Sequence, residues 1–216
     1  MQSKAAAPIS QINADEDPAS REMNKSQLRK EMLARRDALP AAELDRNAES
    51  FTETLASLPE YARARSVLAT MAIGSEWNTR AFLERARADG KAIVLPRLTP
   101  PPRRLALHVV EDLDRHLVPG VWDIPEPDPE RCAPIELAGV DFAVVPALAV
   151  DRQGFRLGYG AGYFDRLLAG RGPRPFCVNA LPAAFWVEGL PHEPHDVPLD
   201  MLVDERGATH RVRAAP

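Results

Sequence analysis

Short apolar runs that alternate with helix-patterned segments constrain this chain most. Ser66–Ile73, Lys91–Leu95, Leu105–Val110, Val140–Val150, Phe176–Ala180 and Met201–Val203 read as strands, and Val140–Val150 carries the strongest signal. A first helix is expected from Asn24 or Ser26, either of which can cap it, to about Leu39, where Pro40 interrupts it. A second places Leu44, Ala48, Phe51, Leu55 and Leu58 on one face at three-and-four spacing and ends at Pro59. Asn78 or Thr79 caps a third that runs through Ala88, with Gly90 at its left-handed C-terminal position. Pro96 is expected to stop its strand, and Thr99–Pro102 and Val118–Pro134 read as proline-rich irregular stretches. Strands alternating with helices predict an α/β fold with a mostly parallel sheet covered by helices.

Such sheets bind ligands beyond the carboxyl ends of their strands, and the glycine-rich segment Phe155–Arg166 lies there in the order of elements. It follows the turn Asp151–Gly154 and sets Gly158, Gly160 and Gly162 at alternate positions between a strand-like run and a helical pattern. Without a Cβ, glycine lets backbone N–H groups approach an anion, so the loop suits phosphate. Asp165 follows in the first helical turn, where it could hold an accompanying Mg²⁺. A plain tight turn, with an aspartate favoured by the helix dipole, explains the same residues. No Gly-Lys-Ser/Thr follows, so the loop is not a Walker A motif, and Tyr163 breaks the dinucleotide-binding glycine pattern.

The 216 residues suffice for one well-packed domain, expected over 24–216 after a disordered tail at 1–23. That tail mixes Ala, Pro, Ser and Gln with the acidic Asp15-Glu16-Asp17 and lacks the apolar stretch of a signal peptide. No run approaches the roughly 20 apolar residues that span a bilayer. The net charge of −4 disfavours a general nucleic-acid binder. Cys132 and Cys177 lie far apart without metal-ligand neighbours, which points to a reducing compartment rather than a disulfide framework. A cytoplasmic monomer without nucleic-acid or membrane partners is expected.

The run Val145-Pro146-Ala147-Leu148-Ala149-Val150-Asp151, then Gly154 and Arg156 through Arg166, resembles the 5-formyltetrahydrofolate cyclo-ligase (methenyltetrahydrofolate synthetase) family. The resemblance extends to Lys25-Ser26-Gln27-Leu28-Arg29, Glu76 with Asn78-Thr79, Trp122 through Pro127, and His195 through Asp200, in family order. It implies a three-layer α/β/α sandwich like that of sugar-phosphate isomerases and CoA transferases. It also implies ATP- and Mg²⁺-dependent cyclisation of 5-formyltetrahydrofolate to 5,10-methenyltetrahydrofolate, with release of ADP and phosphate. The formyl oxygen would attack the γ-phosphorus to give an iminium phosphate that N10 then closes.

Carried onto this chain, the resemblance implies ATP binding by Lys25, Arg29, Arg156, Leu157, Gly158, Tyr159, Gly160, Ala161, Gly162, Tyr163 and Phe164. It implies substrate binding by Glu76, Trp122, Tyr159, Gly160, Ala161, Gly162 and Tyr163, and catalytic roles for Arg156, Tyr159 and Tyr163. Mg²⁺ would be held by Asp165 and Asp196, with Asp200 structural and Arg36 an outlying candidate on the Lys25 and Arg29 face. Taken singly, these residues have plainer readings: a solvated basic helix face, a surface acid at Glu76, a tryptophan plugging a gap, a turn residue at Asp196. His192 and His195 show His-x-x-His spacing without an evident third ligand. Two positions depart from the family pattern. Ala161 stands where Lys or Gly is frequent, and Phe164 where Tyr is common. A non-catalytic folate- or nucleotide-binding relative and an RNA-associated accessory protein are the alternative readings.

Overall fold

The computed structural model describes residues 18–212 apart from 171 and 194, with side chains from Lys25 onward. In chain order it contains α1 (Pro18–Asp37), α2 (Ala41–Ser57), α3 (Pro59–Arg63), β1 (Ser66–Leu68), α4 (Arg80–Ala88), β2 (Ala92–Leu98) and β3 (Leu105–Val109). There follow β4 (Leu117–Pro119), β5 (Pro125–Pro127), β6 (Pro134–Ile135), β7 (Phe142–Val144), β8 (Ala149–Asp151) and β9 (Arg156–Leu157). The chain continues through α5 (Tyr163–Leu168), β10 (Phe176–Ala180), β11 (Trp186–Val187), β12 (Met201–Val203) and β13 (Thr209–Arg211). The main sheet has the order β13-β12-β10-β7-β1-β2-β3-β6; β12 through β2 in that order are parallel, and β13, β3 and β6 join antiparallel. Two small sheets, β11-β8-β9 and the β4-β5 hairpin, complete the fold.

Alternation along the parallel strands sorts the core into two layers. Val67, Ile93, Phe142, Val178 and Met201 pack with Phe51 and Leu55 of α2, Tyr61 of α3, and Phe82 and Leu83 of α4. Their neighbours Leu68, Val94, Ala143, Cys177 and Leu202 pack on the other side with Leu28 and Met32 of α1, Leu168 of α5 and the β8–β9 strands. Helices cover both faces, which makes a three-layer α/β/α sandwich. Phe51, Phe82 and Phe142 are completely buried, and each such side chain contributes about 1.5–3 kcal/mol.

Several boundaries differ from the sequence reading. The first helix begins at Pro18, a residue suited to a helical first turn, so part of the expected tail is helical. The rest of that tail, 1–17, lies outside the described residues. Pro59 does end α2, but it also opens the short α3, because proline fits the first helical turn. Strand β2 runs through Pro96: its pairing with β1 stops at Val94, so the missing N–H interrupts no bond on that side. The proline-rich stretch 118–134 contains most of the β4-β5 hairpin. Val140–Val150 is not one strand. It splits at Pro146 into β7 of the main sheet and β8 of a small one, since proline supplies no donor to continue the ladder. No helix among the described residues is long and apolar enough to cross a membrane.

Asp200 ties the start of β10 to the following chain. Its Oδ2 accepts the Cys177 N–H at 2.8 Å and its Oδ1 accepts Arg174 Nη2 at 2.5 Å. Asp200→Ala leaves both donors short of a partner and is expected to cost about 3 kcal/mol in urea unfolding, whereas Asp204→Ala at the exposed turn costs under about 1 kcal/mol. Burial pushes the Cys177 thiol up to about 11, and Cys132 is also buried. Little thiolate therefore exists at pH 8, and neither cysteine is expected to react with a disulfide reagent before the chain unfolds.

Candidate active site

The glycine loop leaves the small sheet rather than the main one. Strands β8 and β9 form an antiparallel pair, with Ala149 opposite Leu157, which turns the chain back across the edge where β7 ends. The loop is braced from both ends. Gly162 adopts φ 63°, a left-handed cap before α5, and the Arg166 guanidinium donates back to the Ala161 carbonyl at 2.9 Å. Gly160 has φ 101°, a conformation L-residues rarely adopt, and a Cβ there would lie 3.5 Å from the Arg29 guanidinium. Arg29 in turn donates from Nε to the Gly158 carbonyl at 3.1 Å, and Lys25 sits one turn earlier on the same face of α1. Since α5 has only six residues, the loop geometry and these cations matter more than a helix dipole.

The Arg156 side chain, 4 % exposed, holds the next layer together. Its Nη2 meets Asp165 Oδ1 at 2.5 Å, and its Nη1 donates to the Val197 carbonyl at 2.8 Å. One guanidinium thus links Asp165 to the segment bearing Asp196. Asp196 accepts the Glu193 N–H through Oδ2 at 2.8 Å, and its Oδ1 lies 3.7 Å from His195 Nε2. Each aspartate keeps one oxygen outside the hydrogen bonds found among the described residues. His192 stacks on Phe155 with ring centroids 3.7 Å apart, which makes it a packing residue.

A cavity of about 370 Å³ opens beside the loop. Tyr159, Ala161, Tyr163 and Phe164 give it one wall, and its lining is completed by the apolar Met71, Leu95, Leu98 and Leu105 and by Trp122, Ile124 and Glu126 of the β4-β5 hairpin. The departures Ala161 and Phe164 both lie on this wall, so they shape an apolar pocket as well as the glycine loop. Trp122 is 66 % exposed at the hairpin tip with φ 59°, so it stands at the rim and fills no internal gap.

Glu76, also lining the cavity, is half-buried among its partners. Its Oε2 accepts the Ile73 N–H at 3.0 Å, and its Oε1 accepts the Tyr159 hydroxyl and lies 3.8 Å from Arg36 Nη1. Burial and the adjacent Glu76 charge hold the Tyr159 hydroxyl far above its ordinary range, so it is a donor and not a base at neutral pH. Arg36, an outlying candidate in the sequence, is central here. It is 5 % exposed, donates to Ser75 Oγ at 3.0 Å, pairs with Glu76 and lies over the Tyr159 ring at 5.6 Å. Helical spacing put Arg36 on the face of Arg29, but only the folded chain brings Ser75 and Glu76 to it. Arg36→Met is expected to lower stability by about 2–3 kcal/mol and to weaken ligand binding in the cavity, read by thermal melts and titration calorimetry.

Residues 21–205 match the model of the 5-formyltetrahydrofolate cyclo-ligase family. The chain is 32 % identical over 187 residues to a 5-formyltetrahydrofolate cyclo-ligase of Mycolicibacterium smegmatis, covering 85 % of this chain and 95 % of that one. It is 29 % identical to the Haemophilus influenzae protein of the same name, over 83 % and 97 % of the two chains. Its fold superposes on Aquifex aeolicus 5,10-methenyltetrahydrofolate synthetase with a TM-score of 0.77 and 31 % identity, covering 89 % of this chain and 94 % of that one. A Mycoplasma pneumoniae 5,10-methenyltetrahydrofolate synthetase shares the fold at a TM-score of 0.68, over 85 % and 99 % of the chains. With a glycine loop seated on Arg29, a walled cavity beside it and matches that run nearly end to end, the chain belongs to the 5-formyltetrahydrofolate cyclo-ligase family.

Proposed function

We propose that this chain cyclises 5-formyltetrahydrofolate to 5,10-methenyltetrahydrofolate at the expense of ATP, releasing ADP and phosphate. The observation that carries the reading is a shared wall: the loop braced on Arg29 is also one side of the 370 Å³ cavity. A phosphate chain lying on the loop and a heterocycle lying in the cavity would therefore meet at Tyr159 to Tyr163. Family membership supplies the reaction class.

The chemistry needs such a junction. An N-formyl oxygen leaves poorly, so ring closure requires its activation. The formyl oxygen forms a bond to the γ-phosphorus as ADP departs, and the N5 lone pair makes the carbon an iminium. N10 then bonds to that carbon and loses its proton, and the C–O bond breaks to release phosphate and leave the methenyl bridge. Positioning and charge stabilisation dominate phosphoryl transfer, so cations and oriented N–H groups do most of the catalysis.

Lys25 and Arg29 supply fixed positive charge for the phosphate chain, and the Gly158–Gly162 backbone lies close enough to add N–H donors. Arg156 acts by position, since its guanidinium already holds Asp165 and the Val197 carbonyl. The donor set fits Mg²⁺, a hard cation that takes one or two carboxylates beside phosphate oxygens. Asp165 and Asp196 would hold it, and its contribution when bound is neutralisation of phosphate charge. Tyr163, under the Arg166 guanidinium at 5.1 Å, and Tyr159 wall off the reacting groups from water, and Trp122 covers the cavity mouth.

Purified chain mixed with 5-formyltetrahydrofolate, Mg²⁺ and ATP is expected to develop the near-ultraviolet absorbance of the methenyl product, and none without ATP. Arg29→Ala is expected to lower kcat/KM for ATP by about 10- to 100-fold, the loss of a charged contact to phosphate, while binding of formylfolate alone persists. A folded protein that binds formylfolate yet develops no ATP-dependent band would sink the catalytic reading in favour of a folate-binding relative.

A further inference from the structure

From Gly158 to Phe164 the glycine loop contains no lysine or arginine, so positive charge reaches it only from neighbouring elements. Two guanidiniums attach to it. Arg29 of α1 takes the Gly158–Gly160 end, where its Nε donates to the Gly158 carbonyl at 3.1 Å. Arg166 of α5 takes the Ala161–Tyr163 end. Its Nη1 donates to the Ala161 carbonyl at 2.9 Å, and its guanidinium carbon lies 5.1 Å from the centre of the Tyr163 ring. A Cβ at Gly162 would sit 3.1 Å from that same Nη1, so glycine there leaves room for the guanidinium to fold back onto the loop.

Other arginines around the loop are engaged by protein groups. Arg156 grips Asp165 and the Val197 carbonyl, and Arg36 donates to Ser75 and pairs with Glu76. Arg166 differs: it is exposed, and among the described residues its side chain forms no ion pair and donates only to Ala161. Its remaining N–H donors are open to a ligand. Fixing a freely rotating arginine on an anion costs about 0.5–1.5 kcal/mol of side-chain entropy. The Ala161 carbonyl and the Tyr163 ring already hold this one in place, which lowers that cost.

We infer that Arg166 is a further ATP-binding residue, whose guanidinium contacts phosphate oxygens at the Ala161–Tyr163 end of the loop. The inference rests on the cyclo-ligase reading. A phosphate chain lying on the loop would then have Arg29 at one end of its seat and Arg166 at the other. The planar fork of a guanidinium suits phosphate oxygens better than a point charge does. Ala161 and Tyr163 also line the cavity, so Arg166 adjoins the wall at which phosphate chain and heterocycle would meet.

Initial-rate kinetics in both substrates, with titration calorimetry of a non-hydrolysable ATP analogue and Mg²⁺, tests this on the full chain. Arg166→Ala is expected to raise the KM for ATP and the Kd of the analogue by about 10-fold, the loss of a charged hydrogen bond, and to leave the KM for 5-formyltetrahydrofolate unchanged. Adding Ala161→Lys to that variant returns a cation to the same end of the loop without returning the bond to the carbonyl. The double variant is expected to recover most of the lost affinity. Unchanged analogue affinity in folded Arg166→Ala overturns the inference. So does a loss that Ala161→Lys leaves uncorrected, since Arg166 would then only brace the loop. A wild-type chain without an ATP-dependent methenyl band overturns the cyclo-ligase reading instead, and the analogue titrations still decide whether Arg166 binds nucleotide.

Discussion

Arg36 joins three segments that local structure alone would leave apart. It rises from the last turns of α1, reaches Ser75 and Glu76 in the loop after β1, and lies over the ring of Tyr159 in the glycine loop. A cation this buried is tolerable only because Ser75, Glu76 and the aromatic face compensate its lost hydration. Glu76 in turn receives the Tyr159 hydroxyl, so the helix, the strand end and the glycine loop are held as one unit. The cavity wall and the Arg29 seat both inherit their positions from this junction.

A second constraint is the break at Pro146. Strand β7 ends one residue short of Val145, and β8 belongs to another sheet, so the chain is released from the main sheet at its carboxyl edge. The β8-β9 pair then returns the chain, and the glycine loop lies across the sheet edge instead of continuing a parallel strand. Arg156 secures that return from below by gripping Asp165 and the Val197 carbonyl. Asp165 and the segment bearing Asp196, distant in sequence, are thereby tied to one guanidinium.

The cavity combines two chemistries that seldom share a wall. Met71, Leu95, Leu98 and Leu105 line it with apolar surface, while Glu76, Glu126 and Tyr159 add polar groups. Glu76, bonded to Ile73 and Tyr159 and paired with Arg36, acts as a strut.

The α/β class, the buried face of α2, the span of α4, and the glycine loop with its aspartate were legible in the sequence, because burial on a periodic element and the residues that cap it leave a local pattern. Motif order likewise identified Lys25, Arg29, Glu76, Trp122 and Asp196 as members of one family pattern. Local pattern did not reveal the split of 140–150 into two sheets, the passage of β2 through Pro96, or the hairpin hidden among prolines, since each depends on which neighbour a strand finds. Nor could it tell that Arg36 is a junction, or that Glu76 meets Tyr159 and Arg36. Periodicity fixes which face of an element a side chain occupies. Which partner meets that face is decided by contacts across 39 and 129 residues of chain, as between Arg36 and Ser75 or Arg29 and Gly158, and these exist only once the tertiary structure has closed.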